Sequence, residues 1–506
     1  MTDQPQSIAD DLRITAARSP DSIALLFQGV PTTFRQLDEG ADRLACGLHK
    51  LGVRKGDRVA FAVGNRPVFA AIHYGIVRIG AVSAPLNIGS KAHELRPYLA
   101  TVNARAIIAD EAVVNEVMSA GPHPCPVFVI GKHSSARPFE SILSDGQVPD
   151  VTISSQDLAV LAHTSGTSGG PKAAMLTHGN LSSNIDQMVA IPSATTEPGD
   201  VVLGVLPMFH IYGLNVVLGL SVRQGAAVVL EERFATIATM ESVRSNAVTV
   251  LVGAPPMFIS WLTSPDISHQ RLESVRFAVS GASKLAAETI PAFREAFGVE
   301  IWEGYGLTET SPTLTTTRMS EQRPGSVGLP LDGIELRIVD ETGAEVMFGD
   351  PGEIWARGPN VFGGYWADEQ ASEAAFAGDW FRTGDIAYRD EDGYVWLVDR
   401  KKELIIVSGF NVYPREVEDA IRAHPSVEDA AVVGVPHPRQ GEAIKAFVKL
   451  YEGLLESEEA MLVHCARLLA RFKVPSEVEF VSDLPRLPSG KVLKRMLRPQ
   501  ELGPPV

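Results

Sequence analysis

Apolar runs of strand length recur through the first three hundred residues, separated by stretches of helical spacing. Ser22–Phe27, Asp57–Val63, Gly80–Leu86, Ala106–Ala109, Val127–Ile130 and Leu158–Ala162 each read as a buried strand, and Arg66–Ile79 as an apolar helix. The texture returns in Val201–Leu206, Ala227–Leu230, Val248–Gly253, Val275–Val279 and Glu300–Glu303. Strands alternating with helices of about ten to fifteen residues predict a parallel or mostly parallel α/β sheet. Residues 131–155, rich in Ser, Pro and Asp, read as a surface connection. From about Gly325 to Asp399 the strands shorten, and Asp-Gly turns at Asp332-Gly333 and Asp392-Gly393 predict an antiparallel β subdomain. A small unit follows, with an amphipathic helix over Tyr413–Ala423 and strands at Ala430–Val435 and Ala446–Leu450. The expected fold class is α/β: a large N-terminal domain of α/β sheets plus a β subdomain, then a small α+β C-terminal domain.

The strand ends are chemically distinctive. Val201–Leu206 leads into Pro-Met-Phe-His-Ile-Tyr-Gly (Pro207–Gly213), and Val275–Val279 into Ser-Gly-Ala-Ser-Lys-Leu (Ser280–Leu285). Glu300–Glu303 runs into Gly-Tyr-Gly-Leu-Thr-Glu-Thr (Gly304–Thr310), which has a dinucleotide-loop look but lacks the third glycine. In an open α/β sheet such carboxyl ends line the ligand crevice. Leu158–Ala162 enters the richest loop, His163–Ala174, which holds three glycines, four hydroxyl residues and Lys172. Backbone approach without Cβ atoms, hydroxyl donors and one local cation suit a polyphosphate. No Gly-Lys-[Ser/Thr] spacing follows, so this is not a Walker A loop. A Ser/Gly linker is the alternative reading, and the buried-type strand directly upstream argues against it.

Composition narrows the class. The chain has 506 residues and a net charge of −16, from 45 basic and 61 acidic side chains, which argues against a nucleic-acid-coating protein. Any anionic ligand must then be held by locally placed cations. The three cysteines, Cys46, Cys125 and Cys465, show no metal or redox spacing and fit a reducing compartment. The polar start and the absence of long apolar runs predict a soluble cytoplasmic protein without an integral membrane segment.

In order and spacing, these motifs resemble the adenylate-forming superfamily of acyl-CoA synthetases, luciferases and peptide-synthetase adenylation domains, over about Ile8–Leu497. Pro207–Gly213 and Asp399–Pro414 (Asp-Arg-Lys-Lys-Glu-Leu-Ile-Ile-Val-Ser-Gly-Phe-Asn-Val-Tyr-Pro) are nearest to the fatty-acid and 4-coumarate types of CoA ligase. The resemblance implies an AMP-binding domain over 1–399, a hinge at 400–402 and a mobile C-terminal domain over 403–506. It implies that Thr164, Ser165, Gly166, Thr167 and Lys172 cradle the ATP β- and γ-phosphates. Thr164 and Glu309 would hold Mg²⁺, and Thr308 would touch the α-phosphate. Gly281, Ala282 and Ser283 with Gly304, Tyr305 and Gly306 would sandwich adenine. Asp385 and Arg400 would bind the ribose, with structural ion pairing as the plain alternative for both.

Lys491, in Pro-Ser-Gly-Lys, would reach the carboxylate and α-phosphate, offering a compact charge to the reacting groups. His210 would stand where nucleotide and acyl pockets meet, unless it is a core histidine. Lys402 matches the hinge, and Gly409 and Phe410 would shape the thiol path. Four positions depart from the pattern: His163, Ser168, Ala173 and Lys284.

The implied reaction joins a carboxylic acid to coenzyme A at the expense of ATP. An apolar, small-residued wall (Tyr212, Val252–Ala254, Gly281, Gly304) points to a hydrophobic acid, with a medium- or long-chain fatty acid first and a 4-coumarate-like aryl acid second. A dicarboxylic acid paired by Lys284, transfer to an acyl carrier protein, a luciferase-like oxygenase and a non-catalytic nucleotide binder are the other readings. The expected partners are the acid, ATP and CoA, with no nucleic acid, and a homodimer is compatible with the resemblance.

Overall fold

The computed structural model describes residues 7–164, 172–283, 285–400, 403–407, 410–437, 441–469, 471–486 and 492–497. The chain divides into two compact units, Met1–Leu336 with Ala356–Phe381, and Arg337–Trp355 with Arg382–Val506.

The first unit is built on two sheets. One has seven strands in the order Arg137–Pro138, Val127–Ile130, Ala106–Asp110, Arg58–Ala62, Val82–Pro85, Leu158–Thr164 and Lys172–Thr177. All its pairings are parallel except the last, a hairpin. The other has nine strands, in which Ile301–Gly306, Phe277–Ser280, Val250–Gly253, Val201–Gly204, Ala227–Leu230 and Ile23–Phe27 lie side by side and parallel. Antiparallel strands close its two edges. The apolar runs form these strands because both faces are covered. Val59, Ala60, Phe61, Leu161, Leu251 and Ala278 are fully shielded from water, as parallel sheets require.

Helix Phe34–Lys50 starts at a capping box between Thr33 and Gln36. It meets helix Pro67–Val77 closely at Gly75, where a Cβ would lie 2.8 Å from the Ala41 carbonyl oxygen. Two expectations change. The run Val201–Leu206 leaves the sheet after Gly204. Residues 131–155 are more than a surface connection: Arg137–Pro138 joins the sheet edge, and Phe139 and Ile142 are buried. A polar average concealed those two anchors.

In the second unit, Asp385–Arg389 of the strand Trp380–Arg389 pairs antiparallel with Val395–Arg400, and Gly393 takes φ +90° in the turn that Asp392-Gly393 predicts. Further along, Val427–His437 and Gly441–Leu450 form a long antiparallel pair, and both Ile405–Val407 and Glu477–Phe480 pair with Gly441–Leu450. Helix Pro414–Arg422 seats Val417 and Ile421 in a core with Val432, Val448 and Met461. Tyr413 precedes it without a side-chain capping bond, and Pro414 occupies the first turn, where a missing N–H costs nothing.

Candidate active site

The hairpin of the seven-stranded sheet sets the first part of the site. Thr164 and Lys172 are directly opposed in register, so the intervening glycine- and hydroxyl-rich loop leaves and returns at one point. Ser165, Gly166 and Thr167 lie outside the described residues. At the loop's base, His163 packs edge-on against Tyr98 at 4.0 Å, and the Tyr98 hydroxyl donates to the Thr164 carbonyl at 3.3 Å. Burial lowers the His163 pKa to about 4, against a weak opposing bond to the Pro85 carbonyl. His163 is therefore a neutral ring filling the place of an aromatic residue.

Lys172 and Glu309 are joined by a residue that the motifs did not announce. The Lys172 ammonium sits 4.9 Å from the centre of the Tyr365 ring, and the Tyr365 hydroxyl donates to Glu309 Oε1 at 2.8 Å. Tyr365 is delivered by Gly364–Trp366, which runs beside the hairpin: Met175 N–H donates to the Gly364 carbonyl at 3.0 Å and Trp366 N–H to the Ala173 carbonyl at 2.8 Å. Its ring meets Phe362 edge-on at 4.9 Å. Burial, then the Glu309 charge, pushes the phenol pKa well above its usual value, so the hydroxyl remains a donor.

Glu309 itself lies on the short 3₁₀ turn Thr308–Thr310. Three buried amides fix the backbone that follows it. Asn360 donates to the carbonyls of Thr310 (2.7 Å) and Thr313 (2.8 Å), Asn184 to Thr313 (2.9 Å), and Asn215 to Ser311 (2.7 Å). Removing Asn360 or Asn215 would take the amide donor from the Thr310 or the Ser311 carbonyl, at about 1–3 kcal/mol, whereas the Thr313 carbonyl keeps one of its two donors. Gly306 is obligatory for the same turn, because a Cβ there would strike the Pro312 carbonyl.

The nine-stranded sheet contributes its carboxyl edge. Gly253, Ser280 and Glu303 stand in register across three parallel strands, and Gly281 N–H donates to the Gly253 carbonyl at 3.1 Å. Ala282 takes φ +69°, a conformation costing a non-glycine residue about 1 kcal/mol and concentrated at functional loops. A Cβ on Gly304 would approach nothing closer than 3.4 Å. Its glycine is thus not demanded by the protein's own packing, as befits backbone that meets a flat ligand. Ser283 follows the strand Phe277–Ser280, Tyr305 lies within the strand Ile301–Gly306, and Thr308 opens the 3₁₀ turn after it.

His210 and Tyr212 open the helical segment after Val201–Gly204. Asn65 shapes the turn before them, donating to the Leu206 carbonyl at 2.8 Å and accepting from Met208 N–H at 2.9 Å. The His210 Nδ1 accepts the Tyr212 N–H at 3.2 Å, which puts the proton of the neutral ring on Nε2. Tyr212–Gly219 is a π-helix, a form found most often at functional sites. It brings the Tyr212 ring against Gly281, where a Cβ would fall 2.9 Å from ring carbons. The buried hydroxyls of Tyr212 and Ser280 have no hydrogen-bond partner among the described residues, and burial raises the Tyr212 pKa. Such orphans mark a place where a ligand or water completes the bonding. Arg318 is 5% exposed and held by the Ala194 carbonyl and the Thr316 hydroxyl. Among the described residues it pairs with no carboxylate, and burial brings its pKa down to about 10.

Gly281→Ala is expected to lower kcat/KM for the best acid about tenfold, the worth of one ill-fitting methyl group. The Tyr212 ring would have to shift into the pocket. Kinetics at saturating ATP check this, and an unchanged acid specificity would remove Gly281 and Tyr212 from the acyl pocket.

In the second unit, Asp385 is buried and stands directly opposite Arg400 in register. Its N–H donates to the Thr383 hydroxyl at 3.1 Å. Lys402, Gly409, Lys491 and Lys284 lie outside the described residues, and Phe410 begins the strand Phe410–Val412.

The oxygen donors Thr164 and Glu309, one hydroxyl and one carboxylate, are the hard ligands that suit Mg²⁺ shared with phosphate oxygens. Among the described residues no group of three or more His, Cys, Asp or Glu clusters as for a protein-only metal cage. Fold and site together thus define an α/β enzyme with a glycine- and hydroxyl-rich hairpin and a glycine-lined sheet edge. Residues 12–366 match the AMP-binding enzyme family and residues 416–491 its C-terminal domain. The chain belongs to the AMP-binding enzyme family.

It is 33% identical to a long-chain-fatty-acid–CoA ligase of Bacillus subtilis, covering 98% of this chain and 94% of the relative. It is 34% identical to a feruloyl-CoA synthase of an Amycolatopsis species, over 96% of each chain. Among solved structures, o-succinylbenzoate CoA synthetase from B. subtilis in complex with ATP and magnesium ion superposes with a TM-score of 0.86 at 29% identity, over 96% of this chain and 99% of that one. Among the described residues no helix is long and apolar enough to cross a membrane.

Proposed function

We propose that this chain is an ATP-dependent acid–thiol ligase that activates a hydrophobic carboxylate, a medium- or long-chain fatty acid, and transfers it to coenzyme A in the cytoplasm. The observation that carries the reading is the Lys172–Tyr365–Glu309 chain, set in the same unit as Gly253 at the end of one strand, Gly281 just past the next and Gly304 within Ile301–Gly306. It unites a cation, a donor and a carboxylate where a triphosphate and its metal need them. The named function of the B. subtilis relative supports the substrate class. So does the packing of Met257 and Phe258 against Gly253.

In the first step a carboxylate oxygen bonds to the ATP α-phosphorus and the bond to the bridging oxygen breaks, giving acyl-adenylate and pyrophosphate. The residues act by position and charge. Thr164, Ser165, Gly166, Thr167 and Lys172 hold the β- and γ-phosphates, Thr308 the α-phosphate and Lys491 the reacting oxygens. Adenine lies between Gly281–Ser283 and Gly304–Gly306, and the ribose meets Asp385 and Arg400. Thr164 and Glu309 hold Mg²⁺, which neutralises phosphate charge when bound.

In the second step the CoA sulfur attacks the acyl carbonyl and the bond to AMP breaks. His210 stands by the thiol, and Gly409 and Phe410 shape its path. A mixed anhydride hydrolyses if wet, yet the thiol must enter. A C-terminal domain over 403–506, turning at 400–402 about Lys402 on the domain over 1–399, answers both demands.

A second reading, an aryl acid, is favoured by the orphan Tyr212 hydroxyl, which suits a phenolic oxygen. A panel of acids with ATP and CoA tests both. Equal yields of acyl-CoA, AMP and pyrophosphate, rising with alkyl chain length, support the first. A maximum at hydroxycinnamates supports the second, and no product with any acid refutes the ligase.

A further inference from the structure

Lys172 and Glu309 carry opposite charges and touch the same tyrosine, yet among the described residues no ion pair joins them. The Lys172 ammonium lies over the Tyr365 ring, 4.9 Å from its centre. Glu309 Oε1 meets the hydroxyl at the ring's tip, at 2.8 Å. The ring's own backbone is anchored on both sides. Its N–H donates to the Ser372 hydroxyl at 2.8 Å, and Tyr365 bridges Ala174 on the strand that begins at Lys172. Three residues earlier, the Phe362 N–H donates to the Glu309 carbonyl at 2.9 Å. One short stretch, 362–365, thus grips the lysine-bearing strand and the glutamate-bearing turn together.

The separation of the two charges needs a cause. Glu309 is only 8% exposed and Lys172 is half-buried, and opposite charges attract strongly where water is scarce. A direct ion pair would commit each charge to the other. An aromatic face holds an ammonium through its quadrupole and brings no negative charge of its own. The phenol at the other end stays protonated, because burial and the Glu309 charge push its pKa well above the usual value. It therefore bonds the carboxylate without neutralising it.

We propose that Tyr365 is a positioning residue that keeps Lys172 and Glu309 apart, its ring standing in for the ion pair the two would otherwise form. The site then meets ATP with an uncommitted cation for the phosphates and a carboxylate that keeps its charge for the metal. The inference rests on Lys172 and Glu309 serving ATP and Mg²⁺, as read above.

The test titrates ATP in EDTA into the full chain by calorimetry, so that Mg²⁺ plays no part. In Tyr365→Leu the Kd should rise about tenfold or more, the effect of a close charge pair competing with the ligand. Tyr365→Phe keeps the ring and should bind within about twofold of wild type. Glu309→Gln also relieves plain repulsion between the carboxylate and ATP, so its effect is compared in two backgrounds. It should tighten binding at least about fivefold more in Tyr365→Leu than in wild type, since only there does Lys172 have a rival to lose. A tyrosine that merely props up the fold would give equal effects in both backgrounds. That result overturns the proposal, as does wild-type affinity in Tyr365→Leu or a loss in Tyr365→Phe as large as in Tyr365→Leu. If Tyr365→Leu does not fold, the thermal midpoints of ligand-free Lys172→Met, Glu309→Gln and their double variant decide. With the ring holding the charges apart, the two shifts should add to within about two degrees. Larger non-additivity would reveal a direct ion pair and refute the proposal. A wild-type chain that binds ATP neither with nor without Mg²⁺, or full ATP affinity in Lys172→Met, would instead sink the parent reading and this one with it.

Discussion

Lys491→Ala should lower pyrophosphate release by about 10²–10³-fold or more, the scale of removing one preorganised charge from a developing anion. The sequence Pro488-Ser489-Gly490-Lys491 sets the lysine beyond a stiff residue and a flexible one. Arg486 and Val492, the described residues on either side of 487–491, are paired by an antiparallel bridge. A compact ammonium delivered there offsets the repulsion between the incoming carboxylate and the α-phosphate. Thioester formation from supplied acyl-adenylate involves no such pair of anions and should proceed. Rapid-quench measurement of the two half-reactions checks this, and equal losses in both would contradict the assignment of Lys491 to the first step.

The second large effect is expected at Glu309→Gln. The amide keeps an oxygen for the Tyr365 hydroxyl, which donates at 2.8 Å in the parent, and the buried amides Asn360, Asn184 and Asn215 still brace the turn. What disappears is the negative charge. A hard divalent ion binds a neutral amide oxygen less well than a carboxylate, so the Mg²⁺ concentration for half-maximal rate should rise about tenfold or more, the scale on which metal sites respond to altered coordination. The thermal midpoint should stay within a few degrees of wild type. An unchanged Mg²⁺ titration would remove Glu309 from the metal site and leave it a structural acceptor for Tyr365.

What the sequence shows and what it hides divide along physical lines. Parallel strands buried on both faces must be continuous apolar runs, so Val127–Ile130, Ala227–Leu230 and Leu158–Thr164 could be read almost to the residue. Glycines announce themselves where backbone must come close, as at Gly306 and Gly281. Lone polar residues that serve the site from a distance carry no such mark. Tyr365 reaches Glu309 from 56 positions away, and Asn360 stands among ordinary turn residues. Asn215 sits inside an apolar helical stretch, where its only clue is being polar among Leu214, Val216 and Val217. Asn65 shapes the His210 turn across more than 130 positions. Their roles depend on contacts between segments that a local pattern does not encode. Arg318 follows a run of threonines in the sequence, and only the fold makes it a buried cation. The phosphate loop was the reverse case, since its chemistry is fully visible in composition. The hairpin adds the detail that Thr164 and Lys172 face each other.

On the proposed function, the site makes an acyl-adenylate before any thiol is involved. Exchange of labelled pyrophosphate into ATP, run with Mg²⁺ and a fatty acid and without CoA, is the sharpest test. Exchange should require the acid, rise with its chain length and disappear in Lys491→Ala. Exchange that is absent until CoA is added, or that proceeds without any carboxylic acid, would contradict it.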